Sequence, residues 1–295
     1  MGKETERLPD MLIDFHTHNF PAALAARALA VMCEKLVPAA QRLGFGTLRP
    51  VGDGTVATEL RDMDRCGVDR NVNCPVCTHP ENFEAIFRRA VAVREGGEGA
   101  AAAERLVQLG SIHPCDPHFE RHIRMLRENG FRGIKLHPNY QGVCLADPAL
   151  VPFFTALRDA GLFVISHTGF DPGYLDEAKP VAGPEQIAAL LTAVPGLRFV
   201  AAHLGGECGH AAHATDALLP FKTCWIDTAV MYFHDDNPEA RRVVREWPAD
   251  RMVFGTDYFW RDPAHLINWV KNLRPDPEDQ ERIFHANAER LLGLT

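Results

Sequence analysis

The 295-residue sequence has no apolar run long enough to cross a bilayer. The longest, Pro21 to Cys33, is broken by Arg27 and falls short of the ~20 residues that a spanning helix needs. A basic stretch is also missing: 31 Lys and Arg stand against 39 Asp and Glu, a formal charge of -8, and no cluster of cations could track a phosphate backbone. Nucleic acid is thereby excluded as an expected partner. Neither G-x-G-x-x-G nor a P-loop occurs, so the phosphate cradles of nucleotide-binding sheets are absent. The eight cysteines lack the dense, regular spacing of a secreted disulfide scaffold. The opening MGKETERLPD is polar, without the apolar core of a signal peptide, and Glu6 stands where a myristoylation motif takes Ser or Thr. A soluble, cytoplasmic protein with free thiols and no membrane partner is expected. What is present in excess is histidine, 14 residues, the side chain most used as a metal ligand and as an acid or base near neutrality.

Hydrophobic residues at 46% and charged residues at 24% suit a globular chain with a substantial core. Short apolar, β-branched runs alternate with segments of helical period, the mark of βα units building a parallel sheet. Eight such runs occur: Met11 to Phe15, Val68 to Pro75, Leu106 to Ile112, Gly133 to Leu136, Leu162 to Ser166, Leu197 to Ala202, Cys224 to Thr228 and Met252 to Gly255. Helices are predicted over Thr55–Cys66, Glu81–Arg94, Phe119–Asn129, Pro148–Ala160, Pro184–Val194, Pro238–Glu246, Pro263–Leu273 and Pro277–Leu292. Several open on Pro, and glycines 67, 130 and 161 follow helix ends, as capping physics requires. Length alone allows two domains, but eight consecutive βα units fit one α/β domain, a (β/α)₈ TIM barrel. An insertion from Asn19 to Gly54, with a helix-like stretch from Pro21 to Leu36, would follow the first strand and overhang the mouth. The run EGGEGAAAAE from Glu95 reads as a flexible turn. An open doubly wound sheet, the rival with the same local alternation, would be expected to carry the missing Gly-rich loop.

The chemistry gathers at predicted strand ends. In DFHTH, His16 and His18 share one face of the first strand, two imidazoles converging at the barrel mouth as an incipient metal site. Lys135 and His137 end the fourth strand, His167 the fifth, His203 the sixth and Asp257 the eighth, all on the rim where βα loops build a barrel's pocket. His113, ending the third strand, is a further candidate, although Pro114 beside it equally suits a plain turn.

The ordered motifs DFHTH, GIKLHP, VISHTG, AAHLGG and FGTD resemble the amidohydrolase superfamily, specifically the amidohydrolase-related group that includes aminocarboxymuconate-semialdehyde decarboxylase, over nearly the whole chain. The resemblance implies that His16, His18, His167 and Asp257 hold a divalent metal, usually one zinc ion, though spacing does not separate zinc from manganese, iron or cobalt. It also implies that His203 polarises the substrate or positions a water. A divalent ion with an open position acidifies a water from a pKa of about 15.7 to about 7. Asp257 could then accept the proton and pass it to the leaving group while His203 stabilises developing charge. Lys135 has three readings: a carboxylated bridge to a second metal, a point charge for a substrate carboxylate, or a structural ion pair.

The leading expectation is metal-dependent hydrolysis of a C–N or C–O acyl bond in a small organic acid, amide, ester or lactone. The alternative is non-oxidative decarboxylation of an aromatic or unsaturated carboxylic acid, which would call for cations facing carboxylates; Lys135 is the obvious rim cation, with Arg261 second. A catalytically silent metal-binding barrel is the least expected class. The substrate is expected to be small, an anionic one included, and the assembly a homodimer. His137 and Tyr140 are assigned to the substrate pocket, and Asn19 and Phe20 adjoin it. After Asp257 the three aromatics Tyr258, Phe259 and Trp260 replace a proline common in relatives, and suit either a pocket wall or packing against the insertion. Glu207, His210 and His213 could form a second metal site but read better as solvated surface, as do His118 and His122 at i and i+4. Cys74 and Cys77, without a second pair, are assigned to packing.

Overall fold

The computed structural model describes residues 11–42, 48–169, 171, 181–206, 213–229 and 237–294. Among these residues eight strands occur in the predicted order: β1 (Ile13–Thr17), β2 (Arg70–Asn73), β3 (Leu106–Gln108), β4 (Gly133–Leu136), β5 (Phe163–Ser166), β6 (Phe199–Ala201), β7 (Cys224–Asp227) and β8 (Met252–Val253). Every pairing is parallel, in the orders β1-β2-β3 and β4-β5-β6-β7-β8. Two seams join these arcs. Gly110 bridges β3 to β4, its N–H donating to Gly133 O and its carbonyl accepting from Lys135 N. Phe15 N donates to Phe254 O at 2.8 Å and Asp257 N to His16 O at 2.9 Å, which closes β8 onto β1. The fold is a (β/α)₈ TIM barrel.

Strand side chains alternate between two cores. Phe15, Phe163, Ile165, Val200, Trp225 and Val253 fill the barrel, whereas Ile134, Leu136, Val164, Phe199, Ile226 and Met252 face the helices. Gly133 has to be small: a Cβ there would lie 2.6 Å from the Phe163 ring. Lys135 occupies the inner face between Ile134 and Leu136, so the same alternation that buries β4 sends its lysine toward the mouth.

Helix α1 (Ala22–Arg42) follows β1, and α2 (Val56–Cys66), α3 (Phe83–Arg94), α4 (Ala100–Arg105) and α5 (Phe119–Glu128) carry the first half of the outer layer. Thr55 caps α2 through its side chain and Gly67 ends it at φ 70, its N–H bonded to Met63 O. Three elements depart from expectation. The predicted turn after Glu95 contains α4, because Ala100 to Ala103 are strong helix formers that win once Gly99 ends the turn. The predicted helix from Pro21 to Leu36 continues through Pro38; Leu36 and Ala40 pack with Leu48, Tyr258, Phe259 and Trp260, and that burial offsets the ~3 kcal/mol proline penalty. The predicted last helix is Pro277–Glu281 and Asn287–Leu292 joined by a π-helical turn, Arg282–Ala286. Among the described residues no helix is long and apolar enough to cross a membrane.

Candidate metal centre

The β1–β2 register shifts between Asp14 and Thr17, and at that irregularity β1 delivers His16 to the barrel mouth. His16 and His18 come together as expected, their rings 5.2 Å apart. A residue without an assigned role in the sequence, Asp227 at the end of β7, fixes the first ring: its Oδ2 lies 2.7 Å from His16 Nδ1, and both groups are fully buried. Its other oxygen accepts His203 N at 2.7 Å and Ala229 N at 3.1 Å. Burial pushes the Asp227 carboxyl up to about 6. With Nδ1–H donated to this carboxylate, the His16 Nε2 lone pair faces the mouth.

That lone pair meets Lys135 Nζ at 2.6 Å, with Asp257 Oδ1 at 3.5 Å; His18 Nε2 is 3.0 Å from the same Asp257 oxygen. His16, His18 and Asp257 therefore present three ligand atoms within 4.8 Å of one another. Burial, helped by the Lys135 ammonium, holds His16 well below its ordinary range, so its imidazole is neutral and available. Burial alone would raise the Asp257 carboxyl, but the surrounding imidazoles of His16, His18 and His203 outweigh it and hold it well below the carboxylate range. Burial lowers the Lys135 ammonium.

The opposite wall is built from His137, His167 and His203. His137 is stacked between Tyr140 at 3.6 Å and His167 at 4.0 Å, with its Nε2 3.4 Å from Asp171 Oδ2. His203 turns on a left-handed backbone, φ 57, and Asp257 has φ 59; of the four non-glycine residues in that region among the described residues, these two line the site, and the conformation costs roughly 1–3 kcal/mol each. His203 Nδ1 lies 3.3 Å from Ala229 O and its Nε2 2.9 Å from His167 Nδ1. The carbonyl requires Nδ1–H on His203, so its Nε2 accepts from His167. The His167 Nε2 is then a lone pair, buried and without a hydrogen-bond partner. An orphaned acceptor lining the same cavity as His16, His18 and Asp257 makes a donor set that fits a divalent cation.

His16, His18, Lys135, His137, Tyr140, His167, His203 and Asp257, the eight residues assigned to metal, catalysis or substrate from the sequence, line one cavity of about 80 Å³ roofed by Met32, Leu36, Phe259 and Trp260. One grouping differs from the resemblance. His167 clusters with His137 and Asp171 within 4.8 Å, not with His16, His18 and Asp257, since its Nδ1 is tied to His203. The aromatics after Asp257 serve both functions suggested for them: Phe259 and Trp260 line the cavity and pack on α1.

The sequence also passed over Asp14 and Asp171. Asp14 accepts from Thr256 N at 3.0 Å and from the Thr256 hydroxyl, clamping β1 to β8, and burial raises it to about 8. Its place in the DFHTH motif was the available signal. Asp171 lies four residues beyond His167, a spacing that carries no signal without a known loop path.

Other candidates lie elsewhere. His113 is held by Gln141 O and Cys115 N, outside the cavity lining. His118 is exposed, but His122, expected at the surface, is buried: its Nδ1 meets Asp116 at 2.6 Å and its ring stacks on Phe83 at 3.8 Å, so a carboxylate partner and an aromatic face let α5 turn it inward. Cys74 and Cys77 are buried free thiols, as packing requires, and burial raises them to about 12 and about 11. His213 is exposed beside Asp216; Glu207 and His210 lie outside the described residues. Asn19 bonds Glu59 at 2.7 Å, and it and Phe20 border a neighbouring cleft.

Barrel and site together define a metal-dependent enzyme of the amidohydrolase superfamily type. The chain belongs to the amidohydrolase family, whose model matches residues 13–294. No curated protein matches the sequence. Among solved structures it is similar to the uncharacterized TIM-barrel protein Bb4693 from Bordetella bronchiseptica, with TM-score 0.72, 20% identity and coverage of 96% of this chain and 98% of that one. It is also similar to 2,6-dihydroxybenzoate decarboxylase solved with 2,6-dihydroxybenzoate, with TM-score 0.65, 17% identity and coverage of 96% and 99%. A third is 5-carboxyvanillate decarboxylase from Novosphingobium aromaticivorans, solved with manganese and 4-hydroxy-3-methoxy-5-nitrobenzoic acid, with TM-score 0.62, 15% identity and coverage of 99% and 98%.

Proposed function

We propose that this protein is a non-oxidative decarboxylase of benzoate-type acids that works with one divalent metal ion. The observation that carries the reading is Lys135, a fully buried ammonium set among neutral imidazoles in a cavity with an apolar roof. A cation in such a place suits an anionic substrate, and the two substituted-benzoate decarboxylases among the structural neighbours support the class. Hydrolysis, the leading expectation from the sequence, has less support than this alternative.

His16, His18 and Asp257 would hold the ion, and the free Nε2 of His167 is the fourth donor that the family resemblance implies. Once bound, the ion supplies Lewis-acid polarisation of a substrate oxygen. Nitrogen and carboxylate donors accept manganese or zinc, and the manganese in one neighbour keeps both in view. Lys135 pairs with the carboxylate and, with its acidity increased by burial, donates a proton to the ring carbon as the carbon–carboxylate bond breaks. The bonding electrons stay on that carbon, carbon dioxide leaves, and Lys135 takes a replacement proton from solvent. His137 and Tyr140, stacked on each other, line the cavity wall against which the ring would rest. His203, fixed by Asp227 and Ala229, orients His167.

The reading is tested by offering metal-loaded protein a panel of hydroxybenzoates alongside esters, lactones and amides. Carbon dioxide release is expected from the former, reduced roughly 10²–10⁴-fold in Lys135→Met with its metal retained. If Lys135→Met keeps wild-type turnover, the proton role is wrong. In the hydrolytic alternative Asp257 is the base, and Asp257→Asn with its metal bound would abolish acyl cleavage instead.

A further inference from the structure

The metal-site cavity, at about 80 Å³, is well below the ~300–1,000 Å³ of pockets that enclose a whole organic ligand. It opens sideways. A second cleft of about 450 Å³ runs beneath α1, and His18, Met32, Val76 and Tyr140 line both spaces. The walls of the cleft are largely apolar: Leu24, Val31 and Met32 from α1, Pro75 and Val76 from the loop after β2. Leu24 and Val31, one helical heptad apart, are 55% and 61% exposed, two of the four large hydrophobics exposed among the described residues. Water-facing apolar side chains concentrated on one cleft mark a surface built to be covered.

We infer that this cleft receives the apolar body of the substrate, so that the enzyme prefers aryl carboxylic acids extended beyond a single ring, with the carboxylate at Lys135 and the extension under α1. The inference rests on the carboxylate-substrate reading above, and the four residues that line both spaces commit the cleft to that occupant. A docked peptide or second copy would leave the small metal-site cavity to hold the substrate alone.

The test is calorimetric binding to manganese-loaded protein of benzoate, biphenyl-4-carboxylate and the neutral biphenyl-4-carboxamide, with wild type, Val31→Asp and Ala28→Trp. Val31 is exposed and outside the catalytic machinery, so its substitution leaves folding intact, and Ala28→Trp fills the cleft from the same helix. Wild type is expected to bind biphenyl-4-carboxylate at least about tenfold tighter than benzoate, and both variants to reduce that ratio below about threefold with benzoate affinity unchanged. A wild-type ratio below about threefold, or a ratio that neither variant moves, overturns the inference. If the carboxamide binds wild type and loses affinity in both variants while neither carboxylate binds, the cleft stands and the carboxylate reading falls. Tight benzoate binding without biphenyl preference leaves the carboxylate reading standing and overturns the cleft, and failure of all three ligands overturns both.

Discussion

Asp227 controls the site without lining its cavity. One oxygen sets the tautomer of His16 and the other holds the backbone of His203, so one carboxylate aligns residues from β1 and the turn after β6. Asp227→Asn should fold but bind its divalent ion roughly 10–100-fold more weakly, as measured by chelator competition; unchanged affinity would remove this role. A second buried carboxylate gives a pH signature. Burial raises Glu59 above its ordinary 4.5, against hydrogen bonds from Asn71 and Asn19 that lower it. The native state thus holds this proton more tightly than the unfolded chain, and stability declines as pH rises from 4.5 through the native value. Glu59→Gln should remove that decline from denaturation midpoints measured across acid to neutral pH; parallel wild-type and variant curves would contradict it. Thiol labelling offers a simpler check: exposed Cys115 should react fast, and buried Cys74, Cys77 and Cys224 only on unfolding.

The barrel strands place these residues by alternation, and β4 shows how tightly. Gly133 and Phe163 interlock within the barrel while Lys135, two residues on, reaches the mouth. Gly133→Ala should cost roughly 1–3 kcal/mol in chemical denaturation, and Phe163→Leu in that background should recover part of the loss. Additive destabilisation by the two changes would show that the two side chains do not compete for one space. At this scale most of the fold was legible, because hydrophobic period and Pro or Gly punctuation are local: the predicted Pro238–Glu246 and Pro263–Leu273 helices agree with the structure residue for residue. Strand ends were less legible. The Met252 to Gly255 run yields only a two-residue strand, since its last residues enter the turn that presents Asp257. The histidines at strand ends could be found because their chemistry is rare. Asp227 could not, as one acid after CWI looks like any strand terminus until β1 closes against β8. The positive φ of His203 accompanies a bond from its N–H to Asp227, 24 residues further on, so no local pattern announces it.

For the whole molecule, the closed ring brings residues from β1, β4, β5, β6 and β8 to one cavity, and α1 with the aromatics after Asp257 covers it. Because the donor atoms belong to strands far apart in sequence, a bound ion ties the folded barrel together. Metal loading should stabilise wild type by about 2.7 kcal/mol at a free concentration 100 times Kd, and Asp227→Asn by less at the same concentration. The fate of the substrate's carboxyl carbon separates decarboxylation from hydrolysis. The direct measurement is a reaction of metal-loaded protein with a panel of hydroxybenzoates in heavy water, analysed by mass spectrometry. Decarboxylation requires carbon dioxide and an arene carrying one solvent-derived deuterium where the carboxylate stood, in equal amounts and only with metal present. Intact hydroxybenzoates alongside cleaved esters, lactones or amides would contradict it and return the site to hydrolysis.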